Sequence, residues 1–289
     1  MEDTRKTGCF MTDSEMKLSD LFHSLIPDEY RNQHGEVKPM TEAEFAHKQC
    51  EWYNESEGQL GGVDCPDCKN RGNYQILDDD GNRVMRECHC MAQRRYIQMM
   101  QNAGLGDLYK KCTFDSYITD TDWRIRCKQS ALQYANRDGN GWFLFAGQSG
   151  TGKTHLCTAI CSELAKRGRG IRYIQWKRLF DKLVQTKFKE YEQEYIFRES
   201  TDADVLYLDD FLKTPANIPP TPEMLSYALE IIDARYKADK KTIISTEFML
   251  DEIIRFDEAL GGRMREKTSK CMVKRETGRN FRIKEVKEL

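Results

Sequence analysis

The chain lacks any long apolar run: its longest strictly apolar stretch is Trp142–Ala146, far short of the roughly 20 residues that a membrane-spanning helix needs. No membrane span is expected. The opening Met-Glu-Asp-Thr-Arg-Lys-Thr has no apolar secretory stretch, so the protein is expected to remain in the cytoplasm where it is made. In that reducing compartment the eleven cysteines read as free thiols or metal ligands rather than disulfides. Internal repeats and low-complexity tracts are missing too. Net charge is scarce, at −2, but it hides an asymmetry. Residues 1–64 carry six Lys or Arg against fourteen Asp or Glu, whereas 263–289 carry ten against four. A basic tail of that density can meet phosphate, although a solvated surface is the commoner reason for such a run.

What is present is enough for a folded protein of one larger and one smaller domain: 289 residues, 39% hydrophobic and 32% charged, too apolar for wholesale disorder. Residues 1–62 read as an acidic helical adaptor segment, interrupted at Pro27, His34-Gly35, Pro39 and Gly58 and closed by Gly61-Gly62. Residues 63–112 hold a cysteine module and a connector helix. From 113 to 289 apolar strand-like runs alternate with helical periodicity. The runs are Trp142–Ala146, Ile171–Trp176, Val205–Leu208 and Thr242–Thr246; the helices are predicted at Thr154–Arg167, Arg178–Phe197 and Glu223–Ala238. Thr221 is the natural N-cap of the last, with Pro222 in the first helical position. Such alternation predicts an α/β fold with a parallel sheet covered on both faces.

Between the first strand-like run and its helix stands Gly147-Gln148-Ser149-Gly150-Thr151-Gly152-Lys153-Thr154, the pattern of a phosphate-binding loop. Its glycines let backbone N–H groups turn onto phosphate oxygens, and the helix that follows points its positive end at them. Lys153 is expected on the β- and γ-phosphates of ATP, and the Thr154 hydroxyl on magnesium. The run Val205–Leu208 ends in Asp209-Asp210. Two acids at a buried strand end are costly unless a cation and a nucleophile use them, so Asp209 is assigned to magnesium and Asp210 to the attacking water.

Cys65-Pro-Asp-Cys68 and Cys88-His-Cys90 form two close pairs, with Gly72 placed for a tight knuckle. Four thiolates suit zinc, and a module of this size has too little core to fold unaided. An iron–sulfur cluster or free thiols remain alternatives, and His89, between two of the ligands, could replace one, although a linker histidine pointing outward is the preferred reading. Cys157 and Cys161, one helical turn apart, are expected to face the sheet.

Gly-Thr-Gly-Lys-Thr-His-Leu at 150–156, Leu-Asp-Asp at 208–210, Thr242-Ile-Ile-Ser-Thr246 and Ala259-Leu-Gly-Gly-Arg263-Met together resemble the DnaC and DnaI helicase loaders and the related IstB transposition ATPases. The likeness covers residues 113–289, and the cysteine module extends it toward residue 60. It implies an AAA+ core without a lid domain, preceded by a small zinc-binding domain, and it places His155 beside the nucleotide. It also implies that Arg263 is the arginine finger offered to a neighbouring subunit, hence self-association through the core. Where many relatives keep a polar Asn sensor this chain has Ser245-Thr246-Glu247, leaving γ-phosphate sensing to Thr246 or Glu247.

Helix 177–198 corresponds to an insertion that faces DNA in these relatives; it carries Lys177, Arg178, Lys182, Lys187, Lys189 and Arg198 among Phe180, Phe188, Tyr191 and Tyr195. Positions 180, 184, 188, 191 and 195 form one helical stripe, which predicts that most of these rings are core. The function implied is ATP-dependent loading of a hexameric DnaB-type replicative helicase onto single-stranded DNA. A transposition-targeting ATPase is the alternative. A small-molecule P-loop kinase is disfavoured by the paired acids and the absence of an evident acceptor lid.

Overall fold

The computed structural model describes residues 40–103, 105–215 and 218–273; the acidic lead before residue 40 and the basic tail beyond 273 lie outside them. Among the described residues two compact units emerge, 40–55 with Gln75–Met85, and Ser56–Tyr74 with 86–273. In the first, helix α1 (Glu42–Glu55) opens with a capping box. The Thr41 amide donates to Glu44 (2.8 Å) and the Glu44 amide donates back to Thr41 Oγ1 (3.2 Å). Near its end the Asn54 amide group pairs with the backbone of Gln75 in both directions, at 2.8 Å each. Strands β1 (Asn73–Leu77) and β2 (Arg83–Glu87) form a two-stranded sheet. Their turn is held by Asp78, whose carboxylate accepts from the amides of Asp80 and Asn82.

The second unit continues through α2 (Cys90–Asn102), α3 (Gly106–Lys111) and α4 (Asp122–Asn136) to β3 (Trp142–Gly147) and α5 (Lys153–Lys166). There follow β4 (Ile171–Gln175), α6 (Trp176–Gln185), α7 (Glu190–Thr201), β5 (Val205–Asp209), α8 (Pro222–Lys237), β6 (Lys241–Thr246), α9 (Leu250–Phe256), α10 (Glu258–Lys267) and β7 (Thr268–Val273). The sheet is parallel throughout, in the order β4-β5-β6-β3-β7. Because successive side chains leave a strand on opposite faces, the apolar runs divide between two cores. Phe143, Phe145, Val205, Tyr207 and Ile243 meet α2, α4 and α5, whereas Trp142, Leu144, Leu206, Leu208 and Ile244 meet α6, α8, α9 and α10. Burial on both faces is why these strands read as continuous hydrophobic runs. Cys157 and Cys161 lie fully buried in the first core, as their spacing predicts.

The α/β reading holds, and among the described residues α10 leads directly into β7 without a lid domain. Thr221 caps α8 by accepting from the Met224 amide (3.2 Å), with Pro222 beginning the helix. No described helix is long and apolar enough to cross a membrane.

Two expectations need correction. Helix 177–198 is two helices, broken at Thr186–Lys189, where Thr186 Oγ1 bonds back to the Lys182 carbonyl (2.9 Å). The break lets Leu179 and Leu183 of α6, and Ile196 and Phe197 of α7, all reach the second core. Consequently the stripe predicted as core faces solvent: Phe188 is 95% exposed, Tyr191 89% and Tyr195 65%, and only Phe180 packs inward, edge-on to Tyr227. Secondly, Trp176 ends no strand; it is buried as the first residue of α6, its ring 4.8 Å from that of Phe211. Within the basic segment that begins at Arg263, α10 is followed by a strand that no expectation from sequence covered: β7 pairs in register with β3, from Trp142↔Thr268 to Gly147↔Val273.

Candidate nucleotide site and cysteine centre

The C-terminal ends of β3, β5 and β6 come together at one edge of the sheet, where parallel α/β folds bind ligands. After β3 the loop turns through Gly150 (φ +78°) and Gly152 (φ +84°) into α5. A side chain at Gly152 has no room, since a Cβ there meets the Tyr117 ring at 2.8 Å. Lys153 is buried, and its Nζ donates to the carbonyls of Gly147 (2.9 Å) and Gln148 (3.0 Å). Burial lowers its pKa from the ordinary lysine value, against the pull of Glu247 and Asp210.

Asp209 ends β5, buried, and collects hydroxyl donors from four elements. Its Oδ1 accepts from Ser245 (2.6 Å), Tyr207 (2.7 Å) and Thr154 (3.2 Å), and its Oδ2 from Tyr173 (3.1 Å). Burial, reinforced by the Asp209 charge, raises the pKa of both tyrosines, which keeps them protonated donors. Ser245 Oγ also accepts from the Asp210 amide (3.0 Å), so one hydroxyl ties both acids to β6. Asp210 itself sits at φ +54° and pairs with Lys213 at 2.8 Å. Thr246 is fully buried and donates to the Phe211 carbonyl (2.8 Å), whereas Glu247 stands 3.5 Å from Lys213.

A cavity of about 380 Å³ runs over this cluster, lined by Ser149–His155, Asp210, Lys213 and Glu247 on one side. Its far wall is built by α3, the segment after it and the first turn of α4, including Leu108, Cys112, Tyr117, Ile118 and Arg124. His155 bonds the Thr113 carbonyl through Nε2 (2.8 Å) and packs edge-on to Tyr117, pinning that wall to the phosphate-loop helix. Burial lowers its pKa from the usual 6.5, so the ring is the neutral donor at physiological pH. Arg263 is not among the lining residues. It lies on α10, bonded to Asp233 (2.7 Å) and to the Ala259 carbonyl (3.0 Å).

The four cysteines Cys65, Cys68, Cys88 and Cys90 converge, with all Sγ atoms within 4.8 Å of one another and every residue buried. Cys65 and Cys88 are 3.7 Å apart, Cys68 and Cys90 3.6 Å. Sulfurs about 2.3 Å from a central ion form a tetrahedron with edges of about 3.8 Å, so the set fits a single ion such as zinc rather than a multi-iron cluster. The knuckle explains how: Lys69, Asn70 and Gly72 take positive φ, and the Gly72 amide donates to Cys68 Sγ (3.3 Å). A side chain at Gly72 clashes with Leu60 and Met91, each 2.7 Å from its Cβ position. His89 stays outside the set, exposed, with Nδ1 3.5 Å from Asp67.

The profile of the IstB-like ATP binding proteins matches residues 76–280, well over half the chain. The protein belongs to that family. It is 27% identical over 233 residues to the phage-like element PBSX protein XkdC of Bacillus subtilis strain 168, a match covering 75% of this chain and 84% of that one. It is 26% identical over 185 residues to the replicative helicase loader DnaC of Escherichia coli K12, covering 62% and 72%. The crystal structure of the DnaC helicase loader superposes with a TM-score of 0.50 at 21% identity, over 57% of this chain and 98% of that one; this establishes a shared fold.

Within an IstB-like ATP binding protein the cluster has clear chemical uses. The loop glycines and α5 offer N–H donors, Lys153 a cation, and Thr154 and Asp209 hard oxygens suited to magnesium. Sequence reasoning missed Tyr173, Tyr207, Ser245 and Lys213. Tyr207 was readable, because it stands two residues before Asp209 on one strand and so shares its face. The other three are joined to the acids only by sheet order and turn geometry.

Proposed function

We propose that this protein is an ATPase that loads a DnaB-type replicative helicase onto single-stranded DNA. One observation carries the ATPase part: Lys153, Thr154 and Asp210 line one cavity at the ends of β3 and β5, and the Thr154 hydroxyl donates to the buried Asp209 behind it. In this reading the loop 147–152, Lys153 and His155 form the nucleotide site, Thr154 and Asp209 hold magnesium, and Asp210 orients water. Magnesium, when bound, offsets the charge of the triphosphate. Arg263 acts in trans, exchanging Asp233 for the γ-phosphate of a neighbouring subunit, which is why the cores associate.

The loader part rests on the similarity to DnaC and on the exposed rings of Phe188, Tyr191 and Tyr195 beside Lys182, Lys187 and Lys189. Aromatic faces next to cations suit unpaired bases. Zinc on Cys65, Cys68, Cys88 and Cys90 organises the N-terminal module that grips the helicase, in a layout of residues 1–62, 63–112 and 113–289.

Nucleotide titration and turnover test the assignment. Lys153→Ala abolishes binding, whereas Asp210→Asn binds ATP without hydrolysing it. Arg263→Ala binds but is idle, and mixing it with Asp210→Asn restores part of the turnover. Full turnover in Asp210→Asn removes the water-orienting role, and no rescue at any mixing ratio removes the trans finger.

A further inference from the structure

Glu247 poses a problem for any triphosphate site. It lines the cavity with Lys153 and Thr154, and a carboxylate beside a γ-phosphate is repelled unless a cation stands between them. The structure supplies that cation from an unexpected place. Lys213, four residues past Asp209, lines the same cavity, with Nζ 2.8 Å from Asp210 and 3.5 Å from Glu247. The turn that returns it there is unusual. Asp210 and Leu212 both adopt left-handed φ, +54° and +59°, a region sparsely used by residues other than glycine and concentrated at functional sites. The Lys213 amide closes the turn on the Asp210 carbonyl at 3.0 Å, and Phe211 and Leu212 fill the second core. The side chain is therefore aimed by buried anchors, while its ammonium stays partly exposed in the cavity.

We propose that Lys213 is a γ-phosphate-contacting residue of this chain's own site, held by Glu247. The inference rests on the ATPase reading above. An ammonium has three donors and a flexible stem, so it can keep Glu247 and take a phosphate oxygen in exchange for Asp210. A terminal phosphate carries more charge than one carboxylate, which makes that exchange favourable. Its consequence is a link between binding and chemistry: Asp210 is released to orient water only when a γ-phosphate has drawn Lys213 away. With a diphosphate, Lys213 stays on Asp210 and Glu247.

The test titrates the full-length protein with ADP and with a slowly hydrolysed ATP analogue, beside ATP turnover, for wild type, Lys213→Ala, Lys213→Arg, Glu247→Gln and the double variant. Lys213→Ala is expected to keep its ADP affinity within about twofold and to lose about 10- to 100-fold of its preference for the triphosphate, the size of one charge-assisted hydrogen bond. Lys213→Arg retains most of the preference. Glu247→Gln loses less, and the double variant is no worse than Lys213→Ala, because both act through one contact. An unchanged triphosphate preference in Lys213→Ala overturns the proposal while leaving the ATPase reading intact. If wild type binds neither nucleotide, the ATPase reading fails and this proposal with it.

Discussion

Ser245→Ala removes one oxygen and tests whether the two acids are held by β6. The Ser245 hydroxyl donates to Asp209 Oδ1 at 2.6 Å and accepts from the Asp210 amide at 3.0 Å, with the residue fully buried. Losing a hydrogen bond to a charged group costs about 1.5–3 kcal/mol, and an unpaired buried amide about 1–3 kcal/mol more. These do not add fully, because Tyr207 still donates to the same oxygen at 2.7 Å. A loss of about 2–4 kcal/mol is expected, which lowers the urea midpoint by about 1 M. Turnover should fall more than nucleotide affinity, since the Asp210 backbone loses its anchor while Lys153 and the loop are untouched. Tyr207→Phe is the control, as it removes one donor without orphaning a backbone group and should cost less. An unfolding midpoint for Ser245→Ala within error of wild type, with normal turnover, refutes the anchoring argument.

Arg235 is fully buried and donates to Thr242 Oγ1 and to the carbonyls of Ser200, Thr201, Ala203 and Lys241; Arg235→Met should destabilise by about 3–5 kcal/mol in thermal unfolding, because several carbonyls are left unpaired. Chelation, or Cys65→Ser with Cys68→Ser, should release one zinc per chain and unfold residues 63–95, read by metal analysis and hydrogen exchange; iron with visible absorbance contradicts it. His155 has a folded pKa below 6.5, so the stability its neutral ring contributes is present above 6.5 and lost as pH falls through the lower folded value. Wild type should therefore lose more stability than His155→Gln between neutral and mildly acidic pH, and equal losses count against burial of the neutral ring.

Much of the site was legible because its parts are contiguous: Gly147–Thr154 is a strand end, a turn and a helix start in one stretch, and Asp209-Asp210 ends an apolar run. The cysteines were legible as a group since two pairs suffice for a tetrahedron. The helix pair 177–201 was not, because stripe 180-184-188-191-195 and stripe 176-179-183 compete on the same turns and only contact with α8 decides which is buried. β7 was hidden by its polar opening, Thr-Ser-Lys, a strand defined by its place beside β3 rather than by its own apolarity. Lys213 reads as an ordinary surface lysine until the left-handed turn at Asp210 and Leu212 brings it back.

The most direct measurement of the central claim is transfer of a purified bacterial replicative helicase hexamer onto a closed single-stranded DNA circle. The account expects stable helicase on the circle only with this protein and ATP, none with Lys153→Ala, and weakened loading when Phe188, Tyr191 and Tyr195 are all changed to Ala. Residues 1–110 alone should bind the helicase without nucleotide. Loading by Lys153→Ala at the wild-type level, or helicase bound by residues 111–289 and not by 1–110, contradicts the account.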